Sequence, residues 1–274
     1  MISRRTLLGG ATALAAPSLA GCGGTPPTGS GFPNPTVASG PAGLDAVIDI
    51  SHNVTVTDFA AVRRSNILAV FHKCTEGGDW FDPSYAPRKR QAEAVGLLWG
   101  AYHFGTGQYS GEKQAAAFLS AAQPGPGTLL ALDVEHNDRK PANSMRYAQA
   151  EAFVQTVYQA TGRMPLVYTH PRWANGDKMG RSGRSLGGTI TADSILGRCD
   201  LWLADYREEP EVPYAWQGRG WKLWQYVADE NDSHAAYGST PRTIQGVSHC
   251  DRNLFAGNTA ELNRYWKASG RTTS

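Results

Sequence analysis

Residues 129–135, LLALDVE, close an apolar run with two carboxylates two positions apart, Asp133 and Glu135. On a strand, side chains at i and i+2 leave from the same face, with Cα atoms about 6.6 Å apart. Two carboxyls facing one cavity raise each other's cost of ionising, so one keeps its proton near neutrality. An acid beside an anion is a pair that cleavage of a glycosidic bond can use. The same pair could also ligate a metal, form ion pairs with Lys73 or Arg172, or sit solvated at a strand end. The spacing alone leaves these readings open.

The elements that would position the pair recur along the chain. Short apolar runs read AVIDIS (46–51), ILAVFHK (67–73), LLWGAYHF (97–104), LLALDVE (129–135), PLVYTH (165–170), LWLADY (201–206), KLWQY (222–226) and IQGVSHCD (244–251). Continuous apolar runs of this length suit strands buried on both faces. Helical patterns fall between the earlier runs, over 83–96, 110–121 and 143–161. In the last, Ala150, Phe153, Val154, Val157 and Tyr158 share one face. Asn143 or Ser144 is placed to cap its start, and Gly162 to stop it. Strand–helix alternation predicts a parallel sheet, and eight strands over this length predict an α/β fold of the TIM-like (β/α) barrel type. Helical signal fades after residue 170, so the barrel should be irregular, with few helices between its last three strands. The Gly-, Ser- and Thr-rich segment 174–198 reads as a long basic loop.

In such a barrel the site lies at the C-terminal strand ends. Those ends bring Asp49, His72, Lys73, His103, Asp133, Glu135, Tyr168, Asp205, Gln225 and Asp251 to one mouth. Unpaired buried carboxylates are costly, so a purely structural barrel has no use for so many.

The N-terminus reads as an address. Arg4-Arg5 precede a short stretch of small apolar residues, and Leu19-Ala20-Gly21-Cys22 follows. This order predicts a twin-arginine-type lipoprotein signal peptide over 1–21, with lipid on Cys22. Residues 22–43 read as a Gly/Pro-rich tether, 44–268 as the barrel and 269–274 as a short tail. The expected location is export, with a lipid anchor in a bacterial membrane and the barrel facing the periplasm or exterior. The chain carries 26 Lys+Arg and 24 Asp+Glu. Arg4 and Arg5 are the only charges before Cys22, so the remainder is neutral and offers no electrostatic case for nucleic acid. Cys74, Cys199 and Cys250 lack zinc spacing; buried free thiols are expected, with one disulfide left open.

Eight segments in order carry a family resemblance: IDISH (48–52), FHKCTEG (71–77), FDPSYAPRKRQAEAVGLLWGAYHF (81–104), LALDVE (130–135), LVYTH, LWLADY, LWQY and HCDRNLF (249–255). Together they resemble glycoside hydrolase family 25, lysozymes that cut peptidoglycan glycan strands as N-acetylmuramidases. The resemblance spans residues 44–268. It implies Glu135 as general acid and Asp133 as the partner of the sugar's acetamido group, with Asp49 and Asp251 as further acids of the site. It also implies retention of configuration with acetamido assistance, and no metal or cofactor. Aromatic rings stack on sugar C–H faces, so Tyr102, Tyr168 and Tyr206 are candidate substrate-binding residues, with Gln225. Glu76 is expected to pair with Lys73 and support the strand end. Peptidoglycan is the expected partner, and the protein is expected to act as a monomer. Two rivals remain at this point. One is a metal-dependent hydrolase built on His52, His72, His103, His136, His170 and His249; the other is an inactive, lipid-tethered glycan-binding protein.

Overall fold

The computed structural model describes residues 39–40, 43–228 and 243–268. The expected signal peptide, Cys22, nearly all of the tether and the tail lie outside the described residues. Eight strands close on themselves: β1 (Gly43–Ile50), β2 (Ala69–Glu76), β3 (Leu98–Phe104), β4 (Thr128–Asp133), β5 (Leu166–Thr169), β6 (Leu201–Ala204), β7 (Leu223–Val227) and β8 (Asp251–Phe255). Strands β1 to β7 pair in parallel in that order, and β8 pairs antiparallel with both β7 and β1. The result is the expected irregular (β/α) barrel.

The eighth strand departs from the sequence expectation in place and direction. Residues 244–251 were expected to form it, yet the strand begins where that run ends. The reason is Gly246, whose φ is 91°. A Cβ there would lie 2.1 Å from the Asp58 carbonyl oxygen, and the Gly246 carbonyl accepts from Thr57 and Asp58 N–H at 2.8 and 3.3 Å. The apolar run is therefore spent on a turn packed against the loop after β1, bridged by Val56 and Val247. Antiparallel entry needs no crossover helix. It also brings the first residue of β8, not its last, to the mouth, where Asp251 pairs opposite Asp49.

Five helices or turns of helix cover the first part of the barrel: α1 (Phe59–Arg64), α2 (Tyr85–Ala94), α3 (Gly111–Ala122), α4 (Tyr147–Thr161) and α5 (Pro171–Ala174). After them, among the described residues, come α6 (Ile195–Arg198), a 3₁₀ turn over Tyr214–Trp216, and α7 (Thr259–Ala268). Helix α4 starts later than expected. Ser144 does not cap it; its hydroxyl accepts from Asn137 N–H at 2.9 Å and so holds the loop that follows β4. Gly162, at φ 67°, ends the helix.

Large aromatics fill the barrel. Phe71 meets Trp202 at 4.6 Å and Trp266 at 5.4 Å between ring centroids. Phe71 also explains Gly100 on β3, where a Cβ would lie 2.3 Å from its ring. Trp266 of α7 donates its indole N–H to the Trp99 carbonyl near the start of β3, so α7 closes the end opposite the mouth.

Candidate active site

Strand β4 delivers Asp133, and the ladder continues one residue beyond it: Val134 N–H donates to the Tyr168 carbonyl at 3.0 Å. Asp133's own carbonyl accepts from Gly105 N–H at 2.9 Å. Backbone held from both sides keeps the alternation intact, so Asp133 and Glu135 line one cavity of about 420 Å³. Asp49, Asp251, Tyr102, Tyr168, Trp202 and Gln225 line it too.

Each acid is tuned by its surroundings. Burial pushes the Glu135 carboxyl up to about 7, helped by the charge of Asp138 and opposed by Lys73. Burial raises Asp133 well above the ordinary carboxylate range, and the charge of Glu135 adds to it. One Asp133 oxygen, Oδ1, is buried with no hydrogen-bond partner among the described residues. Neither suggested ion-pair partner reaches these acids. Lys73 Nζ lies 2.6 Å from Glu76 Oε2, and Arg172 pairs with Asp177 at 3.3 Å. The Lys73 ammonium also sits 4.8 Å from the Phe104 ring centroid.

Asp49 is only 5% exposed. Its Oδ2 accepts from Gln225 Nε2 at 2.9 Å and Asn253 Nδ2 at 2.8 Å. Burial raises its carboxyl, while hydrogen bonds from Asn253, Gln225 and Asp251 work against the rise. The Tyr168 and Tyr206 hydroxyls each donate to Gln225 Oε1 at 2.8 Å. Gln225 is thus a relay between two phenols and a buried carboxylate. Its place among polar groups orients its amide. Asn253 accepts the Trp202 indole N–H at 2.6 Å on its other end.

A sequence profile of Glycosyl hydrolases family 25 matches residues 48–234. The chain belongs to glycosyl hydrolase family 25. Among relatives in the family, it is 31% identical to N,O-diacetylmuramidase from Chalaropsis sp., over 76% of this chain and 98% of that one. It is 27% identical to lysozyme M1 from Streptomyces globisporus, over 81% of this chain and 72% of that one. The crystal structure of a bacterial lysozyme from Streptomyces coelicolor superposes with a TM-score of 0.65 at 25% identity, covering 84% of this chain and 100% of that one.

Within this family-25 barrel the candidate residues divide into groups. Asp49, Asp133, Glu135, Asp251, Tyr102, Tyr168 and Gln225 line one cavity. Tyr206 stands at its rim, bound to Gln225. Glu76 lies in the adjoining part of the groove rather than in the central cavity. Asp205, at the end of β6, does not join them. It is 2% exposed, and it accepts from Arg207 and from Glu211 N–H, both at 2.7 Å, bracing the turn that follows. The histidines do not gather either. His72 faces Arg88 on α2 at 3.1 Å, and His103 lies between Thr75 and Gln114 at 2.8 and 3.1 Å. Both sit outside the barrel wall, beneath helices. No group of three or more His, Cys, Asp or Glu able to hold a metal occurs among the described residues.

The basic loop 174–198 packs beside the segment that follows β4. Ser182 Oγ lies 3.2 Å from His136 Nε2, while His136 Nδ1 lies 2.7 Å from Asp138 Oδ1. Two participants were not among the candidate site residues. Asn253 carried a usable signal, since it lies two residues from Asp251 on the same strand. Arg139, which also lines the cavity, sits in a loop with no periodicity to read.

Proposed function

We propose that this chain is a lysozyme that cleaves the β-1,4 bond between N-acetylmuramic acid and N-acetylglucosamine in peptidoglycan. The observation that carries this reading is a carboxyl raised to about 7, Glu135, beside Asp133, which keeps a buried oxygen unsatisfied. A general acid works best when its pKa lies near the working pH. An unsatisfied buried acceptor calls for a donor from the substrate, and an acetamide N–H is one. In the proposed sequence, Asp133 holds that N–H while the acetamide oxygen attacks the anomeric carbon. The glycosidic bond breaks as Glu135 gives its proton to the leaving oxygen. Glu135, now ionised, takes a proton from water, which opens the cyclic intermediate with net retention. Asp49 and Asp251 face the same cavity and stabilise positive charge developing on the sugar. Tyr102, Tyr168, Tyr206 and Gln225 form the walls that bind the sugar rings.

The test is mass spectrometry of fragments released from purified peptidoglycan. New reducing ends should be muramic acid. Glu135→Gln and Asp133→Asn should each lower kcat by about 10²-fold or more. Retained activity in both variants would overturn the assignment.

The barrel completes its cavity within one chain, which fits action as a monomer. Export on a twin-arginine-type signal and anchoring through lipid on Cys22 belong to the same proposal. They are supported by the order Arg4-Arg5, apolar stretch, Leu19-Ala20-Gly21-Cys22. No helix among the described residues is long and apolar enough to cross a membrane. Cys22→Ser should move the protein from the membrane fraction to the soluble one.

A further inference from the structure

The groove does not end at Glu135. A second cavity of about 490 Å³ shares Lys73, Phe104, Glu135 and Arg139 with the first. A third, of about 310 Å³, joins it through Glu76 and Lys140 and is walled by Trp80 and Tyr109. Charge is distributed unevenly along this path. The central cavity gathers four acids, Asp49, Asp133, Glu135 and Asp251, with Lys73 and Arg139 on the side toward the second cavity. Arg139 lines the first and second cavities and Lys140 the second and third. Both are exposed.

The neighbouring acids are engaged elsewhere: Glu76 with Lys73, Asp138 with His136, and Asp79 with the Tyr109 hydroxyl. Among the described residues, no ion pair or side-chain hydrogen bond holds Arg139 or Lys140. The backbone that carries them is nevertheless fixed. Asn137 Oδ1 accepts from Lys140 N–H at 2.8 Å, and Asn137 N–H donates to Ser144 Oγ at 2.9 Å. Two unengaged cations thus stand on a fixed loop along the groove that leaves the central cavity. None of the basic residues of loop 174–198 lines these three cavities.

We infer that Arg139 and Lys140 form a carboxylate-reading subsite that selects glycan bearing negative charge near the cleaved bond. This rests on the proposed muramidase reading and deepens it. The carboxylate has two sources. In stem-free glycan it is the lactyl group of muramic acid; in stem-bearing glycan that group is an amide and the charge lies on the peptide. Exposed cations hold a carboxylate without much desolvation, so the effect is modest and salt-sensitive.

The experiment compares three glycans: stem-bearing, amidase-stripped, and stripped with its carboxyls converted to methylamides. The readout is the ratio of kcat/KM for each charged glycan over the methylamide. In Arg139→Gln/Lys140→Gln that ratio should fall about fivefold, with Tm unchanged, and the wild-type ratio should shrink as salt is raised. The fall appearing on stripped glycan assigns the lactyl carboxylate; on stem-bearing glycan, the peptide. A ratio unchanged on both overturns the inference. Binding of the same glycans to Glu135→Gln, with and without the two further substitutions, reads the same ratio without turnover. If the wild type releases no reducing ends, the muramidase reading fails while the binding ratio still decides this one.

Discussion

Burial and the charge of Asp138 lift the Glu135 carboxyl to about 7 from an ordinary 4.5. Two consequences follow for pH. As a general acid, Glu135 must hold its proton when substrate binds, so kcat/KM should fall as pH rises through about 7. Protonating Glu135 also removes the nearest negative charge from Asp133, which lets Asp133 ionise more easily; the two carboxyls titrate as a pair. The second consequence concerns stability. A carboxyl raised in the folded state favours folding below its unfolded value and loses that advantage as pH climbs from 4.5 to about 7. Above 7 the ionised group is a burden of about 1–2 kcal/mol once solvent screening is allowed for. Glu135→Gln removes it. Urea unfolding should therefore show the variant more stable than wild type at pH 8 and equal to it near pH 4.5. An equal gain at both values would mean that burial does not govern Glu135.

At the scale of elements, the site depends on a strand that runs against the rest. Antiparallel β8 presents Asp251 to the mouth, and buried Asn253 bridges Trp202 to Asp49. Asn253→Ala should leave the buried indole N–H of Trp202 without an acceptor and Asp49 with one donor fewer. The expected cost is about 2–4 kcal/mol of stability, together with a loss of activity as Asp49 rises further. Denaturant curves showing a loss below about 0.5 kcal/mol would remove Asn253 from the network. This strand also marks how far the sequence can be read. Strands β1 to β7 are legible because apolar runs buried on both faces have few other uses. The run 244–251 looked the same, but Gly246 turns it, and only the contact with Asp58 reveals why. Asp133 and Glu135 were legible through alternation on one strand. The bracing of Asp205 by Arg207 was not, because a strand-end acid reads alike whether it faces the mouth or its own following turn.

Across the whole molecule, closure ties these parts into one unit. The β1–β8 seam carries an ion pair between fully buried Arg252 and Asp45, to which Tyr226 also donates at 3.1 Å. Helix α7 seals the far end through Trp266. Three thiols mark separate places on this body: Cys74 on β2, Cys199 between α6 and β6, and Cys250 at the entry to β8. All three are buried and none is bonded to another of the three, so the disulfide left open by the sequence is absent among them. Burial raises the Cys74 thiol and pushes that of Cys199 up to about 12. Neither is reactive while folded. If the barrel opens only as a whole, the three should be labelled together as urea unfolds the chain, in step with the loss of circular dichroism. Mass spectrometry resolves each cysteine separately. Labelling of Cys250 ahead of the other two would show that β8 detaches first, carrying Asp251 and Asn253 out of the site while the parallel strands still hold Asp133 and Glu135.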